Sequence, residues 1–363
     1  MKLLVQPTDG IQPLIDAIDS ARERIEIAIF RFDRSEIEKA LVRAVQRGVF
    51  VHALIAYTNR GGQKNLRNLE MRLLEKGMTV ARTADDLVRY HGKYIVIDHR
   101  ELLLLGFNFT YLDTAHSRSF GIITKKPEFV REAIQLFEAD SKRQSYSPGC
   151  DDFVVSPINA RERLTRFIRD ARTELLMYDP KLGDPVILSE LKQRQEAGVR
   201  ISVIGRLTRS APLTVRDLTT MRLHTRTFVR DREEIFLGSQ SLRATELETR
   251  REVGVIFKDP AIVSQIVSIF DNDWREGASV GPSEEADHSI PLSKAVRKVA
   301  KAVSRELPEV SPVVEVMVRK IVGEDANLKL DPDKLQEVVK SAVKEAVEAT
   351  VLEAVETVQE EAE

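Results

Sequence analysis

The sequence predicts an α/β protein of two pseudo-twofold-related halves, each a mixed sheet flanked by helices, followed by a C-terminal α-helical segment. Three observations carry that expectation. Helical and strand periodicities alternate along the chain as far as Trp274. Ala21-Arg22-Glu23-Arg24-Ile25-Glu26 is echoed 150 residues later by Ala171-Arg172-Thr173-Glu174-Leu175-Leu176, and Gly48-Val49 by Gly198-Val199 at the same offset. A histidine, a cation two residues on and an aspartate five residues further occur as His91, Lys93 and Asp98, and again as His224, Arg226 and Asp231. The two histidines are 133 residues apart, so the first half carries about 17 more residues near positions 59–82, where a surface insertion costs little.

In the first half, residues 11–22 read as a helix with Leu14, Ile15, Ile18 and Ala21 on one face, followed by a β-branched strand at 24–30. A second helix at 35–47, N-capped by Ser35, leads to a strand at 50–55. Strands at 93–97 and 102–105 flank a turn at His99-Arg100, a further strand covers 120–124, and Pro127 opens a closing helix to residue 142. The second half repeats this order with helix 158–170, strand 175–178, helix 185–196 and strand 200–204. Strands around 224–229, 235–237 and 252–257 follow, then a helix over 260–274.

Pro148-Gly149-Cys150-Asp151-Asp152 marks the junction, giving halves at 1–148 and 149–275. Residues 276–290, rich in Gly, Ser and acid, read as a linker. The remainder, 291–363, reads as helical and ends in a long helix over 332–361. There Val339, Val343, Ala346, Val347, Thr350, Val351, Ala354 and Val358 form one apolar stripe, suited to a small bundle, to docking on the main body or to self-association.

Composition narrows the function classes. The chain has 363 residues, enough for two or three domains, and a formal net charge of −2. The tail from Glu284 is acidic and the duplicated part mildly basic, which suits an anionic substrate but falls short of the basic footprint of a dedicated nucleic-acid binder. The single cysteine, Cys150, forms no internal disulfide and fits a reducing compartment. No signal peptide or membrane-length apolar run is present, so the expected location is cytoplasmic, with peripheral contact at a membrane where the substrate is a lipid.

Two histidines and two cations brought face to face suit a phosphodiester. Its negative oxygens repel an attacking group, and Lys93 and Arg226 would offset that charge and stabilise the transition state. One imidazole can attack phosphorus and the other, protonated, can hand its proton to the departing alkoxide. The scheme needs no metal or other cofactor, and no histidine spacing in the chain resembles a metal site.

These residues resemble the phospholipase D superfamily, whose signature is His-x-Lys-x4-Asp followed by Gly-Ser-x-Asn beginning seven residues after the aspartate. The resemblance covers about residues 3–275. The first copy has its triplet complete and keeps Asn108, but Leu105-Gly106 stand where Gly-Ser is expected. The second keeps Gly238 and Ser239, has Ser241 in place of the asparagine and Arg226 in place of the lysine. Arginine retains a permanent charge and a fork suited to phosphate, yet it is longer and planar, and misplacement by an ångström can cost about a hundredfold.

The resemblance implies roles. His91 is the expected nucleophile and His224 the general acid and base, with the reverse assignment left open. Asp98 and Asp231 support the structure of the motif. Glu252 lies where the family has a carboxylate that hydrogen-bonds an active-site imidazole, and it is expected to orient His224. The alternative for Glu252 is a surface residue beside Arg250. Its counterpart in the first half is Ser119, with Asp113 as a substitute carboxylate. Arg216, Arg222, Arg230 and Arg232 form either a phosphate-binding mouth or a solvated face.

Three readings follow: a phosphodiesterase or phosphatidyltransferase acting on phospholipid through a phosphohistidine, a nuclease of the same superfamily, or a noncatalytic phosphate- or lipid-binding scaffold. The weak basic excess and the lack of an aromatic-rich basic stripe count against nucleic acid.

Overall fold

The computed structural model describes residues 1–57, 63–209 and 211–279. The expected linker beyond residue 279 and the C-terminal helical segment with its apolar stripe lie outside the described residues. The described part falls in one unit spanning Met1–Asn59 and Gln63–Ser283, so contacts between the two halves are internal to it.

Each half contributes one sheet, and the two have the same strand order. In the first sheet the order is Lys2–Gln6, Ser117–Thr124, Glu101–Leu105, Tyr94–Ile97, Arg24–Ile29, Phe50–Ile55 and Thr79–Arg82. The second runs Phe153–Val155, Val253–Phe257, Glu234–Gly238, Arg226–Arg230, Glu174–Leu182, Arg200–Leu207 and Thr214–Asp217, with Ala278–Ser279 added at the edge. Arg24–Ile29 pairs with Phe50–Ile55 in parallel and with Tyr94–Ile97 antiparallel, and Glu174–Leu182 does the same with its two neighbours. Such mixed sheets are covered on both faces, which is why Ile25, Ile27, Ala28 and Ile29 are all buried instead of alternating with polar residues. Both sheets contribute to one core, where the rings of Phe120 and Tyr178 meet edge to face at 5.6 Å.

Local chemistry explains several element ends. Gly48, with φ +84°, ends the helix Ser35–Gln46 in the left-handed conformation that glycine adopts without strain. The helix Pro185–Glu196 starts where the Asp184 carboxylate accepts from the amides of Val186 and Ile187, and Asp259 caps the helix Pro260–Glu276 in the same manner. Ser35 is the first helical residue and not the cap: Arg34 holds that position, and no side chain closes it. The additional residues of the first half include the helix Gln63–Glu75, so that insertion is more than a lengthened loop.

The halves are stitched together by an exchange. Arg89–Tyr90, just ahead of His91, pairs in parallel with Arg250–Arg251 of the second half. Reciprocally, Arg222–Leu223, just ahead of His224, pairs in parallel with Ser117–Arg118 of the first. Two ion pairs follow the same dyad: the half-buried Arg118 with Asp273, and the buried Arg251 with Asp140.

Candidate active site

The exchange decides which side chains meet. His91 N–H donates to the Arg251 carbonyl at 2.7 Å and His224 N–H to the Arg118 carbonyl at 3.0 Å, so each histidine backbone is held by the strand of the opposite half. The residue after each of those carbonyls then faces an imidazole. Glu252 Oε2 lies 2.7 Å from His91 Nδ1, and Ser119 Oγ lies 3.3 Å from His224 Nδ1. Glu252 therefore orients His91, not His224 as the sequence suggested. The reason is topological, because a partner contributed across the dyad cannot be assigned from spacing within one half. Glu252 is 0% exposed, which also sets aside its reading as a surface residue.

His91, Lys93, Asn108, His224, Arg226, Ser239, Ser241 and Glu252 are all buried. Phe30 meets the His91 ring edge to face at 4.8 Å, and Lys93 Nζ lies 5.7 Å from the centroid of the same phenyl ring. Arg226 donates from Nη1 to the His224 carbonyl at 2.7 Å and from Nε to Ser241 Oγ at 3.2 Å. Asn108 is held through its backbone N–H and Nδ2 by Asp113 Oδ2 at 2.7 and 2.8 Å. At the matching place in the second half, Ser241 N–H donates to Glu246 Oε2 at 2.6 Å.

Asp98 and Asp231 sit away from the imidazoles, at the far ends of their strands. Asp98 accepts from the amides of Arg22, Glu23 and Arg24, and Asp231 from those of Arg172, Thr173 and Glu174. Each clamps the turn that feeds the central strand of its sheet. Both adopt positive φ, 51° and 52°, as do His99 and Arg232 after them, so the hairpin turn begins at the aspartate itself. Gly238 faces Gly254 across the second sheet, and a Cβ there would approach the Gly254 Cα to 2.7 Å, so this glycine is required for strand packing.

Electrostatics tie the two histidines to one site. Burial pushes the His91 imidazole well below its ordinary value, and Lys93 and Arg226 push further in the same direction. Burial likewise lowers His224 well below the usual range; Asp113 opposes this, while Arg222, Arg226 and Lys93 reinforce it. Both motif cations therefore act on both imidazoles. Burial, with help from the Glu246 charge, pushes the Glu252 carboxyl up to about 7. For Asp113, burial acts upward but is outweighed by His224 and Arg222, which hold the carboxyl well below its ordinary value.

Asp113 was anticipated only as a stand-in carboxylate; its Oδ2 lies 3.7 Å from His224 Nε2, and its Oδ1 accepts from Arg222 Nη1 at 2.6 Å. Glu246 was missed, although it lies 133 residues after Asp113 and the repeat offset alone would have found it. The four-arginine cluster does not form. Arg222 joins the site, Arg216 stacks on Trp274 at 4.8 Å, Arg230 pairs with Glu234 and Arg232 with Glu174. Among the described residues, no three His, Cys, Asp or Glu side chains are grouped to hold a metal ion. No helix of the described residues is long and apolar enough to cross a membrane.

The family described as "Cardiolipin synthase, PLD-like domain" matches residues 14–141 and 164–274, one match to each half. The chain belongs to the phospholipase D superfamily. Among curated superfamily relatives, the mitochondrial cardiolipin hydrolase of Danio rerio is 29% identical over 130 residues, covering 35% of this chain and 56% of that protein. The polyphosphate kinase of Prochlorococcus marinus is 25% identical over 288 residues, covering 69% of this chain and 40% of that one. The chain thus spans about half the length of these relatives. Two solved structures share the fold: polyphosphate kinase from Porphyromonas gingivalis (TM-score 0.66, 20% identity, 83% of this chain and 52% of that one) and phosphatidylserine synthase from Haemophilus influenzae (0.60, 14%, 84% and 93%).

Proposed function

We propose that this phospholipase D-type protein is a phosphodiesterase or phosphatidyltransferase that acts on phospholipid through a phosphohistidine formed on His91. The observation that carries the assignment is the 2.7 Å contact between His91 Nδ1 and Glu252. With Nδ1–H donated to the carboxylate, the lone pair of Nε2 is left to attack phosphorus. The N–P bond forms as the P–O bond to the leaving alkoxide breaks, and His224 gives its Nε2 proton to that alkoxide. His224 then takes a proton from water or an acceptor alcohol, whose oxygen attacks phosphorus and expels His91. Lys93 and Arg226 lower the energy of the charge spread over the equatorial oxygens. A bound diester adds negative charge beside both imidazoles, which raises their proton affinity against the lowering by burial and lets His224 serve as the acid.

The cycle balances without a metal ion. Phospholipid is favoured by the family's cardiolipin synthase description and the cardiolipin hydrolase relatives, and such a substrate would be met at a membrane surface. A second reading is favoured by one observation: the polyphosphate kinase match covers 69% of this chain, whereas the cardiolipin hydrolase match covers 35%. In that reading the same histidine accepts a phosphoryl group from a polyphosphate.

The experiment offers the protein cardiolipin or phosphatidylglycerol vesicles, single-stranded DNA and polyphosphate in separate reactions containing EDTA. Release of phosphatidic acid or formation of a new phosphatidyl ester is expected, with a loss of at least about a thousandfold in His91→Ala and His224→Ala. An acid-labile phosphoryl label should reside on His91 and accumulate in His224→Ala. Full turnover by His224→Ala would rule out the two-histidine mechanism.

A further inference from the structure

The second half contains a buried carboxylate that the first half lacks. At the 150-residue offset Asp179 corresponds to Ile29, and the apolar pair Ile29–Ile55 of the first sheet becomes Asp179–Gly205 in the second. Asp179 has 0% exposure, and an isolated buried carboxylate is costly unless its oxygens are engaged. Its Oδ1 accepts from the Lys181 amide at 2.8 Å and its Oδ2 from the Leu242 amide at 2.8 Å. Leu242 is the neighbour of Ser241, so this carboxylate holds the backbone beside the motif serine. Gly205 makes the arrangement possible: it has φ +146°, and a Cβ there would overlap the Asp179 carbonyl oxygen at 1.7 Å. The carboxylate thus stands in the half whose motif departs from the family pattern at both Arg226 and Ser241.

We propose that Asp179 and Glu246 are positioning residues for Arg226, and that Arg226 and Ser241 are a matched replacement for a lysine–asparagine pair. The inference rests on the reading of Arg226 as a phosphate-binding cation. The links run through Ser241 and its neighbour: Arg226 Nε donates to Ser241 Oγ at 3.2 Å, Glu246 fixes the Ser241 backbone at 2.6 Å, and Asp179 fixes the next amide, that of Leu242, at 2.8 Å. Glu246 also accepts from Arg250 at 3.2 Å and is held below the ordinary carboxylate range by Arg226 and Arg250 against the effect of burial. In the first half, Lys93 accompanies Asn108, and Asn108 is held by Asp113. A longer cation needs a shorter neighbour, and serine in place of asparagine supplies that room. With Nε bonded to Ser241 and Nη1 to the His224 carbonyl, the guanidinium is fixed in direction and Nη2 is left to meet a phosphate oxygen.

The test is a double-mutant cycle on full-length protein, using Arg226→Lys, Ser241→Asn and the double variant. Two readouts are taken: turnover of bis(p-nitrophenyl) phosphate and calorimetric binding of inorganic phosphate. Each single variant should lower kcat at least tenfold with KM changed less than threefold, and the double variant should return to within threefold of wild type. Binding of inorganic phosphate should show the same loss and recovery. Additive losses in the double variant, or a single variant with wild-type kcat and phosphate binding, would overturn the proposal. If wild type does not turn over the diester, the functional reading fails, and the binding cycle still decides the matched pair. Ser241→Ala removes only the hydroxyl and serves where Ser241→Asn does not fold; a melting temperature near wild type with a tenfold loss of phosphate binding supports the link, and unchanged binding refutes it.

Discussion

A carboxylate with no exposure and a histidine as its partner gives one residue control over two protons. Glu252, raised to about 7 by burial and the Glu246 charge, must be ionised to accept the His91 Nδ1 proton. As pH falls through that value the carboxyl protonates and the preferred tautomer is lost, so kcat/KM should fall on the acid side with a midpoint near 7. Glu252→Gln should lower kcat about a hundredfold or more and remove that limb. A pH–rate profile checks it, and an acid limb that persists unchanged in Glu252→Gln would assign the titration elsewhere. The sequence made Glu252 visible through its place in the motif, but not its partner, which depends on a strand crossing between residues 161 apart. Asp179 left no signal, since its counterpart in the repeat is an isoleucine.

At the scale of elements, the motif aspartates do mechanical work. Three amides converge on Asp98 and three on Asp231, and these bonds hold each carboxyl below its ordinary value against the upward effect of burial. Asp98→Ala should cost about 1–3 kcal/mol by urea unfolding while phosphate binding at the site is preserved. A loss of binding with stability unchanged would place Asp98 in the chemistry instead. Elements with local punctuation were legible: Phe50–Ile55 follows the Gly48 turn, and Pro185–Glu196 opens on an Asp-Pro cap. Lys2–Gln6, Phe153–Val155 and the two-residue strands ahead of the histidines were not. Their pairing partners lie far along the chain, and segments this short have no period to read.

For the whole molecule, stability and chemistry share the dyad. Arg118 binds Asp273 through two nitrogens at 2.8 and 2.9 Å, and Tyr178 adds a hydrogen bond to the same carboxylate at 2.6 Å. Asp273→Ala removes the carboxylate that pairs with the half-buried Arg118 guanidinium and should destabilise the protein by about 1–3 kcal/mol, read from urea unfolding. A cost below about 1 kcal/mol would mean that the halves are held by their shared core alone. The histidines set a pH dependence of their own. In the unfolded chain they gain protons below about 6.5, whereas in the fold they resist, so stability should fall as pH drops from 6.5 towards 5. Glu252, raised in the fold, acts in the opposite sense between about 4.5 and 7. His224→Gln should flatten the decline; an unchanged slope would mean that this imidazole protonates as easily folded as unfolded.

The unequal partners, Glu252 for one imidazole and Ser119 for the other, also give the site a direction. Two identical halves would accept a diester either way round. In the proposed mechanism attack would come from the His91 side and departure would be assisted from the His224 side, so the two substituents of an unsymmetrical diester would have distinct berths. By that mechanism the duplicated chain would distinguish the group it keeps from the group it lets go.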